Sequence, residues 1–152
     1  MTPLILFTDG SVHPPSRVGY GAYLAVTDLT AAPDDLLSRV CIKSFEDTSS
    51  SQLEVETLLW ALREIQPTAG VIVYTDSQNM IGLPARRERL ECKPHNHAAL
   101  YHDFFAATDQ FDCTFVKVKG HRKADRKTET DRLFTLVDRA SRRALRADPR
   151  CN

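Results

Sequence analysis

The sequence predicts one α/β domain built on a mixed sheet, because three strand patterns open the chain and strands then alternate with helices. The first strand is LILFTD (4–9), an apolar run that ends at an Asp-Gly turn signal. VGYGAYLAVT (18–27) and SRVCIKSF (38–45) complete a predicted antiparallel meander. No internal repeat or linker interrupts residues 1–152, so a single domain is expected.

The second half of the chain supplies the helices and two further strands. SSSQLEVETLLWALREI (49–65) carries apolar residues at helical spacing, and its serines can cap the helix. VIVYTD (71–76) is a continuous apolar run, typical of a buried central strand. The remaining predicted elements are a short helix at 77–83, a basic connector at 85–94, a helix at 95–111, a strand at 113–120 and a helix at 130–146.

Composition narrows the class of protein. Of the 152 residues, 42% are hydrophobic and 26% are charged, which is typical of a globular chain. No stretch approaches the roughly 20 apolar residues of a membrane helix, and the N-terminus lacks the basic start of a secretory signal. The four cysteines show no C-x-x-C spacing, which argues against a zinc site. We therefore expect a cytoplasmic protein.

Charge is unevenly distributed although the chain is neutral overall. Residues 117–150 contain 12 basic and 5 acidic residues, a net charge of +7. Such a basic end can bind a polyanion locally, and the alternative is a solvated helix face.

Three acids stand where a site is expected. Asp9 and Asp76 each end an apolar strand, and the carboxyl ends of parallel strands meet at the usual site of an α/β sheet. Helical phase places Glu54 at the edge of the core stripe, in the first turn of its helix. Each acid alone has an ordinary alternative, as a turn residue or as a partner of the helix dipole. Together they predict a cluster of carboxylates.

Five motifs carry a resemblance to a known family. They are TDGS at 8–11, GYGAY at 19–23, SQLEVETLLWAL at 51–62, YTDSQ at 74–78 and KGH at 119–121. In this order and at these separations they resemble the motifs of type 1 ribonuclease H over nearly the whole chain. The resemblance implies a five-stranded mixed sheet, with three antiparallel and then two parallel strands, flanked by helices.

The resemblance also implies four metal-binding acids. Asp9, Glu54 and Asp76 match the first three by position. The fourth is either Asp138, which fits the local pattern VDRASRRAL, or Asp131, which fits the shorter distance from His121. Because seven helical residues separate them, these two share one stripe but lie about 10 Å apart along the axis, so only one can ligate at a time. We favour Asp138.

The chemistry implied by the resemblance is hydrolysis of the RNA strand of an RNA–DNA hybrid. Two Mg²⁺ ions, or Mn²⁺ in their place, would be bound by carboxylates, and the products would carry 5′-phosphate and 3′-hydroxyl ends. His121 matches a residue that shuttles protons or assists product release. Ser11, Ser50 and Gln78 match substrate contacts in the minor groove. The basic connector at 85–94 stands where many bacterial relatives carry a longer handle that grips the hybrid.

Two other functions fit the same fold. One is a nucleic-acid-binding module without catalysis, and the other is a related nuclease or resolvase that acts on another nucleic acid. The presence of Asp9, Glu54 and Asp76 favours an active enzyme. We expect a monomer without a membrane association and without an obligate protein partner.

Overall fold

The computed structural model of the chain describes residues 2–30, 33–92, 96–118 and 128–152. Its strands are β1 (Leu4–His13), β2 (Val18–Val26), β3 (Cys41–Phe45), β4 (Val71–Thr75) and β5 (Cys113–Lys117). Its α-helices are α1 (Pro33–Leu37), α2 (Ser50–Ile65), α3 (Gln78–Gly82), α4 (Arg87–Cys92), α5 (Ala98–Gln110) and α6 (Glu129–Ala147), with 3₁₀ turns at Pro84–Arg86 and Pro149–Cys151.

The strands form one five-stranded mixed sheet in the order β3-β2-β1-β4-β5. β1 pairs antiparallel with β2, and β2 with β3, whereas the β1–β4 and β4–β5 pairs are parallel. This arrangement confirms the predicted fold class. None of the described helices combines the length and the apolar character that crossing a membrane requires.

β1 is longer than predicted, and its two neighbours pair with different parts of it. Its pairing with β2 continues to His13↔Val18, whereas its pairing with β4 ends at Phe7↔Tyr74. The Asp-Gly dipeptide after Thr8 does not turn the chain, because the strand there remains paired with β2. β1 and β4 therefore separate just before Asp9, which opens a notch at the carboxyl end of β4, beside the middle of β1.

Both faces of the sheet are covered. On one face α2 and α5 bury an apolar cluster that includes Val55, Leu58 and Phe104. On the other face α6 packs Leu133 and Val137 against the sheet. The sheet thus lies between two helical layers.

Two glycines allow α2 to approach the sheet closely. A Cβ atom on Gly10 would lie 2.7 Å from the side chain of Leu53, and one on Gly21 would lie 2.2 Å from that of Thr57. Because larger residues would push α2 outward, the small side chains of these strands set the depth of the helix. Leu53 precedes Glu54, so the same contact helps to set how closely that acid approaches the sheet.

Several predicted boundaries were wrong. α1 occupies a region between the second and third strands where no helix was predicted, and it forms because Leu36 is buried against the α6 side of the core. The predicted basic connector at 85–94 forms a 3₁₀ turn and helix α4 in its described part. β3 and β5 are shorter than predicted, while α6 begins at Glu129 and ends at Ala147.

Candidate active site

Four of the predicted acids are linked to one another around the notch between β1 and β4. Asp9 lies in β1, Asp76 directly follows β4, Glu54 projects from α2 and Asp138 projects from α6. Asp76 interacts electrostatically with both Asp9 and Glu54, and Asp138 is hydrogen-bonded to Asp9. The fold therefore brings together carboxyl groups from β1, α2, α6 and the segment after β4.

Asp9 has a strongly raised pKa. Burial, the nearby charge of Asp76 and the hydrogen bond with Asp138 raise the pKa of Asp9 to about 9, against an opposing contribution from the Gly10 amide. A carboxyl group in this setting retains its proton at neutral pH when no cation compensates the surrounding charge. The site therefore holds an excess of acidic groups, as a cation-binding site does.

Glu54 reaches the notch from the α2 side. Its carboxylate accepts a hydrogen bond from the Ser77 hydroxyl at 2.5 Å, and burial is the main cause that raises its pKa. Ser77 is itself fixed as the N-cap of α3, where its oxygen accepts from the Met80 amide at 3.1 Å. The predicted phase of Glu54 agrees with this position, but the predicted first-turn location was wrong because α2 begins at Ser50.

Ser77 was not singled out from the sequence. A serine directly after a strand-end aspartate and before a short helix is a typical N-cap, and this signal is present in YTDSQ. The structure adds that the capping hydroxyl also orients Glu54.

The structure separates the two candidates for the fourth acid. Asp131 belongs to a capping box at the start of α6, where its carboxylate accepts from the Thr128 amide at 3.1 Å and Thr128 caps the Asp131 amide. Asp138 lies two turns further along α6 and contacts Asp9. Asp131 thus has a structural partner at the helix end, while Asp138 is the α6 acid that joins the cluster.

Among the described ion pairs, one basic side chain contacts the carboxyl cluster. Arg142, one turn after Asp138 in α6, donates from Nε to Asp138 Oδ1 at 2.9 Å. The side chain of Asp138 is 25% exposed and that of Arg142 is 48% exposed. Arg142 therefore holds one oxygen of Asp138 from the solvent side.

The predicted substrate contacts lie on different elements. Ser11, in β1, is half-buried and hydrogen-bonded to Ser141 at 3.2 Å. Ser50 is exposed at the start of α2, with Ser49 acting as the cap. Gln78 is exposed at the start of α3 and accepts from Lys117 Nζ at 2.7 Å.

Two arginines of the predicted basic connector are engaged within the protein. Arg86 donates to the Asn79 side chain at 3.0 Å. Arg87 pairs with Glu91 at 3.0 Å and with Asp109 at 2.8 Å. Both arginine side chains therefore have partners within the protein. Lys93 and the predicted catalytic His121 lie outside the described residues.

Carboxylates are the ligands that Mg²⁺ and Mn²⁺ prefer, so the donor chemistry of the cluster fits a hard divalent cation. Within the described ranges, no group of three or more His, Cys, Asp or Glu side chains is placed so that it could hold a metal ion. Asp9 and Asp138 engage each other, while Glu54 engages Ser77. Metal ligation would require these side chains to exchange protein partners for the cation.

Comparison with known proteins gives the family. The model of the RNase H family matches residues 1–139, a span that includes the four clustered acids. The ribonuclease H of Lachnoclostridium phytofermentans is 24% identical over 144 residues, and the alignment covers 87% of this chain and 89% of that protein. With the five-stranded mixed sheet and its flanking helices, this match shows that the chain belongs to the ribonuclease H family.

Proposed function

We propose that this chain is an endoribonuclease that hydrolyses the RNA strand of RNA–DNA hybrids in a reaction dependent on two Mg²⁺ ions, or on Mn²⁺ in their place. The products would carry 5′-phosphate and 3′-hydroxyl ends. The observation that carries the proposal is the half-buried carboxyl of Asp9, which is linked to Asp76 and Asp138 on a ribonuclease H fold.

Asp9, Glu54, Asp76 and Asp138 would hold the metal. Two divalent ions bound there would supply activation of the attacking water and stabilisation of the leaving oxygen of a phosphodiester. Asp9 must give up its proton before it can ligate a cation, and Asp138 must exchange its hydrogen bond with Asp9. Ser77 holds Glu54 at the edge of the notch, where a carboxylate can also approach the ribose 2′-hydroxyl that distinguishes RNA from DNA.

The remaining assignments extend the same proposal. Ser11, Ser50 and Gln78 would contact the minor groove of the hybrid, and His121 would move a proton or assist product release. We propose a cytoplasmic monomer without an obligate partner, because neither the composition nor the fold supplies a reason for another arrangement.

Cleavage of four end-labelled duplexes tests the proposal: RNA–DNA, RNA–RNA, DNA–DNA and a DNA duplex with one ribonucleotide. Each is incubated with Mg²⁺, with Mn²⁺ and with a chelator. We expect metal-dependent cleavage of the RNA strand in the RNA–DNA duplex. Binding without cleavage would indicate a non-catalytic module, and preferred cleavage of another duplex would indicate a different nuclease.

Asp76→Asn tests the site in the same assay, because it preserves shape and removes charge. The matched control is Asp47→Asn. Asp47 is exposed and paired with Arg17, and asparagine also tolerates the left-handed backbone conformation of Asp47. We expect cleavage to be lost in Asp76→Asn and retained in the control. Undiminished turnover of Asp76→Asn would refute the assigned site.

A further inference from the structure

A hydroxyl pair crosses the interface between β1 and α6 beside the carboxyl cluster. Ser11 Oγ of β1 lies 3.2 Å from Ser141 Oγ of α6. Ser141 is fully buried, and buried hydroxyl groups are costly to leave without partners. This contact is therefore a specific feature of the interface rather than a solvated surface pair.

The hydroxyl pair ends on the backbone of Asp138. Ser141 Oγ donates to the Asp138 carbonyl at 3.0 Å, which leaves the oxygen of Ser141 to accept from Ser11. A chain of hydrogen bonds thus connects β1 with the helical turn that presents the Asp138 carboxyl group.

The same faces of β1 and α6 meet at two successive points. Asp9 and Ser11 are two residues apart, so both side chains point to one face of the strand. Asp138 and Ser141 are three residues apart, so they lie on neighbouring positions of one helix face. The contacts Asp9–Asp138 and Ser11–Ser141 therefore define one register between strand and helix.

A third contact fixes the far end of α6. Tyr20, which pairs with Ser11 across the β1–β2 ladder, donates from its hydroxyl to Asp148 Oδ2 at 2.7 Å. Asp148 is buried and also paired with Arg150 at 2.8 Å, and these partners lower its pKa. We call the contacts Ser11–Ser141 and Tyr20–Asp148 the polar seam.

We propose that the polar seam is a positioning device that fixes the register of α6 so that Asp138 meets Asp9 at the metal site. The inference rests on the proposed function, since it assigns a role to residues outside the carboxyl cluster. Ser141 and Asp148 lie beyond the residues 1–139 that match the family. The seam is thus built partly from this chain's own C-terminal segment.

Metal binding to the nucleic-acid-free protein tests the seam directly. Calorimetric titration with Mg²⁺ and with Mn²⁺ compares the wild type with Ser141→Ala. We expect the metal dissociation constant to rise about tenfold, as for other residues that orient metal ligands. The matched control is Ser38→Ala, because Ser38 makes the same type of bond to the carbonyl three residues earlier, but on an exposed turn.

Steady-state kinetics on a labelled hybrid supply a second measurement. Misplacement of Asp138 should lower kcat at saturating metal while KM for the hybrid stays near the wild-type value. If the substitution only unfolded part of the protein, the fraction of active molecules would fall instead. Circular dichroism and active-site titration detect such a loss.

Ser11→Ala and Tyr20→Phe keep the test informative if Ser141→Ala does not fold. Both substitutions should weaken metal binding, whereas Ser11→Thr should keep the wild-type metal affinity because threonine retains a hydroxyl. Adding Ser11→Ala to Ser141→Ala should cause little further loss of metal affinity, because both substitutions break the same contact. Wild-type metal affinity in both Ser141→Ala and Ser11→Ala would refute the proposed role of the polar seam. A wild type that neither binds metal nor cleaves hybrids would instead refute the proposed function.

Discussion

Asp138 of α6 is hydrogen-bonded to Asp9 of β1, so the last helix delivers its carboxyl group to the central strand of the sheet. Seven residues earlier in the same helix, Asp131 closes the capping box with Thr128. Two acids on one helical stripe therefore have different partners and are expected to have different roles.

Alanine substitution should separate these roles. We expect Asp138→Ala to lower metal-dependent cleavage by more than about a hundredfold, since residues that merely orient metal ligands already contribute 10- to 100-fold. Asp131→Ala should keep most of the activity but lower the free energy of unfolding by about 0.3–1.5 kcal/mol through loss of its capping-box bond to the Thr128 amide. Cleavage rates and urea denaturation measure the two effects. Mild effects of both substitutions on cleavage would exclude Asp138 as the fourth ligand.

The raised pKa of Asp9 predicts a pH dependence of stability without metal. The folded protein keeps the Asp9 proton up to about pH 9, whereas the unfolded chain releases it near its ordinary value of 3.8. Between these values the native state binds more protons, so this group makes the folded state less stable as pH rises. Divalent metal should offset the loss, because it favours the ionised carboxylate.

Asp9→Asn removes this titration but leaves an amide that can donate to Asp138. In the presence of a chelator, we expect the variant to gain stability relative to the wild type as pH increases from about 5 to about 8. Urea denaturation at both pH values measures the difference, and the titrating groups that do not interact with Asp9 cancel between the two proteins. Parallel pH profiles for the two proteins would contradict the assignment of a proton to Asp9.

The fold class could be predicted from the sequence because apolar residues recur at strand and helix spacing, and the residues at those positions are the ones buried in the structure. Phe7 and Val73 lie on buried strands, and Val55 and Leu58 lie on the buried face of α2. The phase that placed Glu54 at the edge of that face is a property of the helix alone, so it could be predicted without coordinates.

The features that could not be predicted from the sequence depend on contacts between distant segments of the chain. The extension of β1 past Asp9 follows from pairing with β2, which local turn signals do not report. Helix α1 forms because Leu36 is buried against α6, and no local periodicity marks so short a helix. The choice between Asp131 and Asp138 did have a local signal, since Thr128 three residues before Asp131 is the pattern of a capping box.

Arg87 of α4 should contribute to structure rather than to binding of the hybrid. Its guanidinium group pairs with Glu91 and Asp109 and lies 5.1 Å from the centre of the Phe105 ring, so it is occupied within the protein. We expect Arg87→Gln to lower the thermal midpoint and to leave the dissociation constant for the hybrid unchanged. Arg89→Gln is the matched comparison, because Arg89 is exposed on the same helix. A loss of hybrid affinity specific to Arg87→Gln would contradict this assignment.

Exposed arginines beside the carboxyl cluster should supply phosphate contacts. Arg139 and Arg143 are exposed and one turn apart in α6, on the flank of Asp138, whereas Arg142 is paired with Asp138 itself. We expect Arg139→Gln/Arg143→Gln to weaken binding of the hybrid more at low salt than at high salt, because each phosphate contact releases condensed counterions.

The measurement is the slope of the logarithm of the association constant against the logarithm of the salt concentration, taken without divalent metal so that the hybrid stays intact. Each phosphate contact that is lost should reduce the magnitude of this slope by about 0.9, or about 0.7 where the nucleic acid behaves as a single strand. The control Arg39→Gln/Arg63→Gln changes the net charge equally at exposed positions on other elements. Equal slopes for the two double variants would mean that the α6 arginines act only through net charge, whereas a smaller slope confined to the α6 variant would place phosphates of the hybrid against this helix.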